Sequence, residues 1–190
     1  MAGSRLRKAL FISALGYIAI TTFIFLNEGG VANTNERREG RWLLIPKIGV
    51  EAIIQTVGTT PSGSIGIPSN AKDVAWFAGS SPIGRSAGTA TAGTAVIVGH
   101  VDTRVFGPGV FRGLKGLVKG DYIYTSIEGR ISHYMVTGLM VYPEGTDRME
   151  EIIGIREGAQ RIVLITCDGK WDQSIKRYTD RLVVFADLVE

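Results

Sequence analysis

The chain has 190 residues, 45% apolar and 21% charged, which suits one globular domain with an appendage rather than two full domains. Its 25 glycines and 6 prolines follow no triplet period, excluding collagen-like and low-complexity chains, and its lone cysteine, Cys167, excludes a disulfide framework. The net charge of +3 resides in Arg5, Arg7 and Lys8, the only charges among the first 26 residues; the rest is balanced and offers no basic face for nucleic acid.

Residues 1–8 form a short basic tip. Residues 9–26 carry no charge, and as a helix these 18 residues span about 27 Å, close to a hydrocarbon core of ~30 Å. The bases precede this run and Glu28 follows it, so the positive-inside rule keeps the N-terminus cytoplasmic and exports the remainder. Gly30-Val31-Ala32 loosely resembles a signal-peptidase site, but the run exceeds the usual 7–15-residue signal core, which favours an uncleaved single-pass anchor. Residues 27–40 are polar and glycine-bearing, without apolar period, and read as a flexible linker reaching roughly 20 Å. The folded domain is expected over residues 41–190.

Strand signals dominate that domain. Residues 42–46 and 50–57 are short apolar or alternating runs. Residues 94–99 form a continuous β-branched run, as expected of a strand buried on both faces. Residues 121–127 and 130–142 alternate and are joined by Glu128-Gly129, a hairpin-like turn. Residues 161–166 and 181–189 complete the set. Helical patterns are brief, at residues 72–79, 111–117 and 149–155. About seven short strands punctuated by glycine suggest a mostly β fold closed into a barrel. Residues 84–93, rich in small side chains, read as a surface loop.

Chemistry concentrates at strand ends. Cys167 closes the apolar string Leu164-Ile165-Thr166-Cys167, with polar Asp168 beyond it, a position that suits a nucleophile better than a buried structural thiol. His100 stands in the same relation to the run ending at Gly99, and an imidazole is the usual partner of a reactive thiol. The other histidine, His133, alternates with apolar neighbours in mid-strand and reads as a solvated face residue. Both histidines precede the cysteine, an order that excludes a papain-like enzyme. Lys170, Lys176, Arg177 and Arg181 are the cations after Cys167 available to an oxyanion. Arg181 opens the last apolar strand and reaches the sulfur if that strand pairs with the cysteine strand. Asp102 is placed either to orient His100 or to face solvent.

Three strings together resemble the signatures of sortases, membrane-anchored cysteine transpeptidases of bacterial cell surfaces. They are Val98-Gly99-His100, Leu164-Ile165-Thr166-Cys167 and Arg181-Leu182-Val183-Val184-Phe185-Ala186. Ile45-Pro46-Lys47-Ile48-Gly49-Val50, Phe111-Arg112-Gly113-Leu114 and Lys119-Gly120-Asp121 resemble further family strings, so the likeness spans residues 41–190. Gly99-His100-Val101-Asp102 is most similar to the class F type. That type places its arginine directly after the tyrosine matching Tyr178, where this chain has Thr179; Arg181 instead stands where class A enzymes have theirs. Positions two apart on a strand share a face, so either register points an arginine the same way, with Arg177 the alternative.

The resemblance implies an eight-stranded β-barrel with its groove at one end. The sequence marks no cofactor; some sortases bind calcium near the groove, but no matching acidic cluster stands out here. It implies that Cys167 attacks the Thr–Gly carbonyl of a Leu-Pro-x-Thr-Gly-like sorting signal on an exported protein. His100 then protonates the departing amine, and Arg181 with nearby backbone N–H groups holds the oxyanion. Thr166 is expected to support the substrate groove through its hydroxyl. The acyl group would pass to an amine such as a cell-wall precursor. A hydrolase using water as acceptor and a non-catalytic membrane-tethered binding module are the competing expectations.

Overall fold

A computed structural model describes residues 40–84, 93–103, 107–154 and 160–189. The expected anchor at 9–26, nearly all of the linker and most of the loop at 84–93 lie outside the described residues. Among the described residues no helix is long and apolar enough to cross a membrane.

The domain opens with β1 (Trp42–Ile45), a single 3-10 turn at Pro46–Ile48 and β2 (Val50–Val57). β3 (Val74–Phe77) and β4 (Thr94–Gly99) follow, then a hairpin of two-residue strands, β5 (Asp102–Thr103) and β6 (Gly107–Pro108). β7 (Tyr122–Ile127) and β8 (Arg130–Pro143) precede a short helix, α1 (Met149–Ile153). The chain ends in β9 (Arg161–Asp172) and β10 (Arg177–Val189). Eight strands close a barrel in the order β1-β2-β3-β4-β9-β10-β8-β7, with β7 returning to β1. β2–β3 and β4–β9 are parallel, and the other pairings are antiparallel.

Two helical expectations give way. Residues 72–79 hold β3, not a helix. Val74 and Ala75 are fully buried on opposite faces, so the segment lies inside the wall between β2 and β4, where a short apolar run takes strand geometry. Residues 111–117 make turns around a 3-10 segment, Leu114–Gly116, because Gly113 and Gly116 break any longer helix. The 128–129 hairpin forms as expected: Glu128 (φ 53°) and Gly129 (φ 78°) are both left-handed, the type I′ geometry that matches strand twist. β9 and β10 run several residues beyond the expected 166 and before the expected 181, forming a long ribbon past the barrel wall.

Alternation along the wall separates two apolar layers. Ala95, Ile97, Ile162, Leu164, Leu182 and Val184 point inward and fill the barrel with Leu43, Ile123 and Tyr134. Their neighbours point outward. Val163, Val183 and Phe185 pack with Tyr142 and Ile152, while Val96 and Val98 pack with Ile65, Ile153 and Ile165. Helix α1 and the 58–67 segment therefore cover the outer face of β4, β9 and β10. Where that cover stops, at the far end of β9, the outward positions become chemical.

Candidate active site

Arg181 and Cys167 are direct cross-strand partners on β10 and β9. Such partners share a face with Cβ atoms about 4.5–5.5 Å apart. β4 runs parallel to β9 with Val98 opposite Ile165. His100 is two residues past Val98, as Cys167 is two past Ile165, so both continue the outward face side by side. Three distant stretches of sequence thus place their outward polar side chains at one spot, in a groove of about 670 Å³ lined by His100, Cys167 and Arg181. Ile65, Ile67, Ile152 and Val183 give this groove apolar walls.

Each member has a built support. The His100 backbone is clasped by the chain that follows: Phe111 N–H donates to His100 O at 2.9 Å and Gly109 N–H to Val101 O at 3.0 Å. Gly109 passes so close that a Cβ there would lie 2.2 Å from His100 O, which only glycine avoids. His100 Nε2 lies 3.1 Å from Pro68 O. A carbonyl only accepts, so this contact puts the ring proton on Nε2 and leaves Nδ1 to exchange protons. Thr166, one residue from Cys167, alternates to the inward face and is buried. Its hydroxyl donates to Gly99 O at 2.8 Å, tying β9 to β4 beside His100.

Cys167 is half-buried, and burial first, then the negative charge of Asp102, push its thiol above the ordinary range. Asp102 accepts a hydrogen bond from the Tyr178 hydroxyl, which raises that phenol to about 12. Of the two placements expected for Asp102, orienting His100 or facing solvent, the structure shows a third. Asp102, Tyr178, Trp171 and Arg112 line a second cleft, outside the first. Trp171 and Tyr178 meet edge to face there, with centroids 5.4 Å apart. Asp168 pairs with Lys115 at 2.6 Å, tying the residue after the cysteine to the segment after the histidine.

The β9–β10 ribbon changes register between Tyr178 and Asp180: Tyr178 pairs with Trp171 and Asp180 with Asp168. Gly169 (φ 80°) and Lys170 together oppose Thr179, a β-bulge whose glycine occupies the left-handed position. A Cβ on Gly169 would lie 2.0 Å from Asp180 Oδ2 and 2.3 Å from Thr179 Oγ1. The extra residue of the bulge lies on β9, so β10 keeps its own alternation through Thr179, and Arg177 and Arg181 line the same groove. Thr179 is exposed and its hydroxyl accepts from Lys170 N–H at 3.0 Å. Arg181 is the arginine in register with the sulfur.

The Arg181 guanidinium is half-buried, and burial lowers its pKa from the usual very high value. Nη1 donates to Tyr178 O at 3.2 Å and Asp180 O at 2.8 Å, while Nη2 pairs with Glu144 Oε2. Arg177 lines the same groove from a more exposed position and pairs with Glu144 Oε1 at 3.1 Å. Sequence reasoning did not single out Glu144; it follows Pro143 at the end of β8, and no local pattern marks it. Lys170 and Lys176 are exposed. His133 is exposed on β8 opposite Val189 and packs edge-on against Tyr124, eight β10 residues and roughly 27 Å from the Arg181 register.

The Sortase domain family model matches residues 43–189. No curated protein matches the chain significantly. Among solved structures, the chain is similar to a Sortase D5 transpeptidase of Clostridium perfringens (21% identity, TM-score 0.57, 80% of this chain and 79% of that one). It is also similar to sortase C-1 of Actinomyces oris (22%, TM-score 0.59, 79% and 73%). A lid mutant of sortase A from Corynebacterium diphtheriae gives 22% identity and a TM-score of 0.60, over 80% and 70%. These likenesses are likenesses of fold.

Proposed function

The chain belongs to the sortase family of cysteine transpeptidases, and we propose that it cleaves a Leu-Pro-x-Thr-Gly-like signal through a thioester on Cys167. The observation that carries this reading is the shared face of Cys167, Arg181 and His100 at the end of β9. Burial and then the charge of Asp102 favour the thiol form of the resting sulfur. His100 Nδ1 takes its proton as the sulfur attacks the Thr carbonyl carbon. The carbonyl π pair moves onto oxygen, and Arg181 holds that oxyanion. Collapse breaks the C–N bond, and Nδ1 returns the proton to the departing glycine amine. An incoming amine then attacks the thioester carbonyl and loses a proton to His100; the C–S bond breaks, and the released sulfur takes that proton back to restore the thiol.

The apolar groove walls suit the Leu and Pro side chains of such a signal. The Asp102–Tyr178 cleft, near enough for Asp102 to act on the sulfur, suits the approach of the second substrate. Gly99-His100-Val101-Asp102 favours a class F-like subtype. Residues 9–26 anchor the domain to the outer face of the cell membrane, and residues 27–40 tether it where exported proteins and cell-wall amines emerge.

The test is peptide cleavage by the full chain with and without a glycine amine. The expected result is a Thr–amine transfer product, a trapped thioester on the parent and no turnover in Cys167→Ala. An unchanged rate in Cys167→Ala overturns the reading. A product hydrolysed at saturating amine assigns water as the acceptor.

A further inference from the structure

Glu144 is the acidic side chain that the geometry of the groove brings to both arginines. Its backbone is placed by the β8–β10 ladder: Tyr142 pairs with Arg181, Pro143 with Asp180, and Glu144 N–H then donates to Thr179 O at 2.8 Å. Gly145 (φ 72°) turns the chain away immediately afterwards, so the Glu144 side chain stays at the groove edge. The carboxylate divides its oxygens, Oε2 to Arg181 Nη2 and Oε1 to Arg177 Nη1. It is about as protected as its main partner, with side-chain exposures of 22% for Glu144 and 25% for Arg181, against 57% for Arg177.

A guanidinium has five N–H donors in a rigid fork. Tyr178 O and Asp180 O take both hydrogens of Nη1, and Glu144 takes one of Nη2. The fork is therefore gripped on both Nη atoms, and Nε–H and the second Nη2–H are left to meet an oxyanion. The backbone grip alone is a hinge about Nη1. The carboxylate on the other branch fixes the rotation, and with it the direction in which those two hydrogens point. Arg177, at the outer oxygen, holds the carboxylate in turn.

We propose that Glu144 is a positioning residue for acyl transfer, orienting Arg181 beside Cys167 through a carboxylate shared with Arg177. This rests on the reading of Arg181 as the oxyanion donor. Glu144 acts through Arg181 and touches neither the sulfur nor the scissile bond. Its removal misaims the donor that works in the transition state, so kcat falls while KM holds.

The experiment measures kcat, KM and thermal midpoint for peptide cleavage by the full chain carrying Glu144→Gln, Glu144→Ala, Arg181→Ala and the double change Glu144→Ala/Arg181→Ala. Misplacement of a catalytic group by about 1 Å costs on the order of 100-fold, so Glu144→Ala should lose about 10- to 100-fold in kcat with KM within about 2-fold. Glu144→Gln, which keeps the shape and an acceptor oxygen, should lie between it and the parent. In the Arg181→Ala background the second change should cost no more than about 2-fold, because residues acting as a unit are not additive. The same full loss in that background overturns the proposal, as does an unaltered kcat in Glu144→Ala. If Glu144→Ala melts early, Glu144→Gln at the parent's midpoint decides in its place: a kcat equal to the parent's overturns the proposal. An active Arg181→Ala instead overturns the arginine assignment on which the proposal rests.

Discussion

On the inward face of β9 and β10, Ile162, Leu164, Leu182, Val184 and Ala186 are between 0% and 4% exposed and hold the barrel together. On the outward face of the same strands stand Arg181, one residue before Leu182, and Cys167, three after Leu164, in an open groove. One backbone thus carries stability on one side and chemistry on the other. The separation depends on register, because a slip of one residue would exchange the faces. On the inner face Thr166 is buried and gives its hydroxyl to Gly99 O. The outer face keeps a thiol and a guanidinium half-buried, each with its pKa displaced by desolvation.

The sharpest way to break this division is to cross it. Leu164→Ala, on the inner face, should cost about 2–5 kcal/mol of stability in denaturant melts, while the folded fraction keeps its rate per molecule. Parent-like stability would mean the inner layer does not carry the fold. Arg181→Ala, on the outer face, should show the reverse: a 100- to 1,000-fold slower turnover, about 2.7–4 kcal/mol of transition-state stabilisation, with a nearly unchanged melt. Arg181→Lys keeps a charge but not the fork and should still be badly impaired in the same assay.

A smaller effect sharpens the electrostatics of the outer face. Asp102 carries a negative charge that raises the Cys167 thiol pKa, second to burial. Removing that charge favours the thiolate, so Asp102→Asn should shift the iodoacetamide alkylation profile to lower pH and speed alkylation at pH near 7. Burial persists in the variant, so the thiol stays above the ordinary range. A profile that does not move, or moves upward, would show that the sulfur does not feel Asp102. The smallest effect belongs to His133, exposed on β8 opposite Val189. His133→Ala should change turnover by less than about 2-fold and stability by under about 0.5 kcal/mol. A larger loss of rate would reopen the assignment of His100.

Much of this was legible in the sequence, because it is written in neighbouring residues. The continuous run before Gly99, the apolar string before Cys167 and the run after Arg181 each announce a buried strand with a polar residue at its end. The family likeness of those three strings reaches the same barrel, and the structure lines one groove with His100, Cys167 and Arg181. The Glu128-Gly129 hairpin is equally local, since two left-handed residues make the turn.

Tertiary structure alone decided the rest, wherever the deciding partner is far away in sequence. Residues 72–79 became a strand because β2 and β4 stand on either side, a fact that their own period does not contain. The direct pairing of Arg181 with Cys167 is set by the whole β9–β10 ladder, including the bulge at Gly169 that offsets its outer part by one residue. Glu144 is the clearest case: 33 residues before Arg177 and 37 before Arg181, it meets both because β8 runs antiparallel to β10 and ends beside the groove. Local sequence fixes which way each strand alternates. Only the closure of the barrel, a sum of many distant contacts, fixes which side chains then stand face to face.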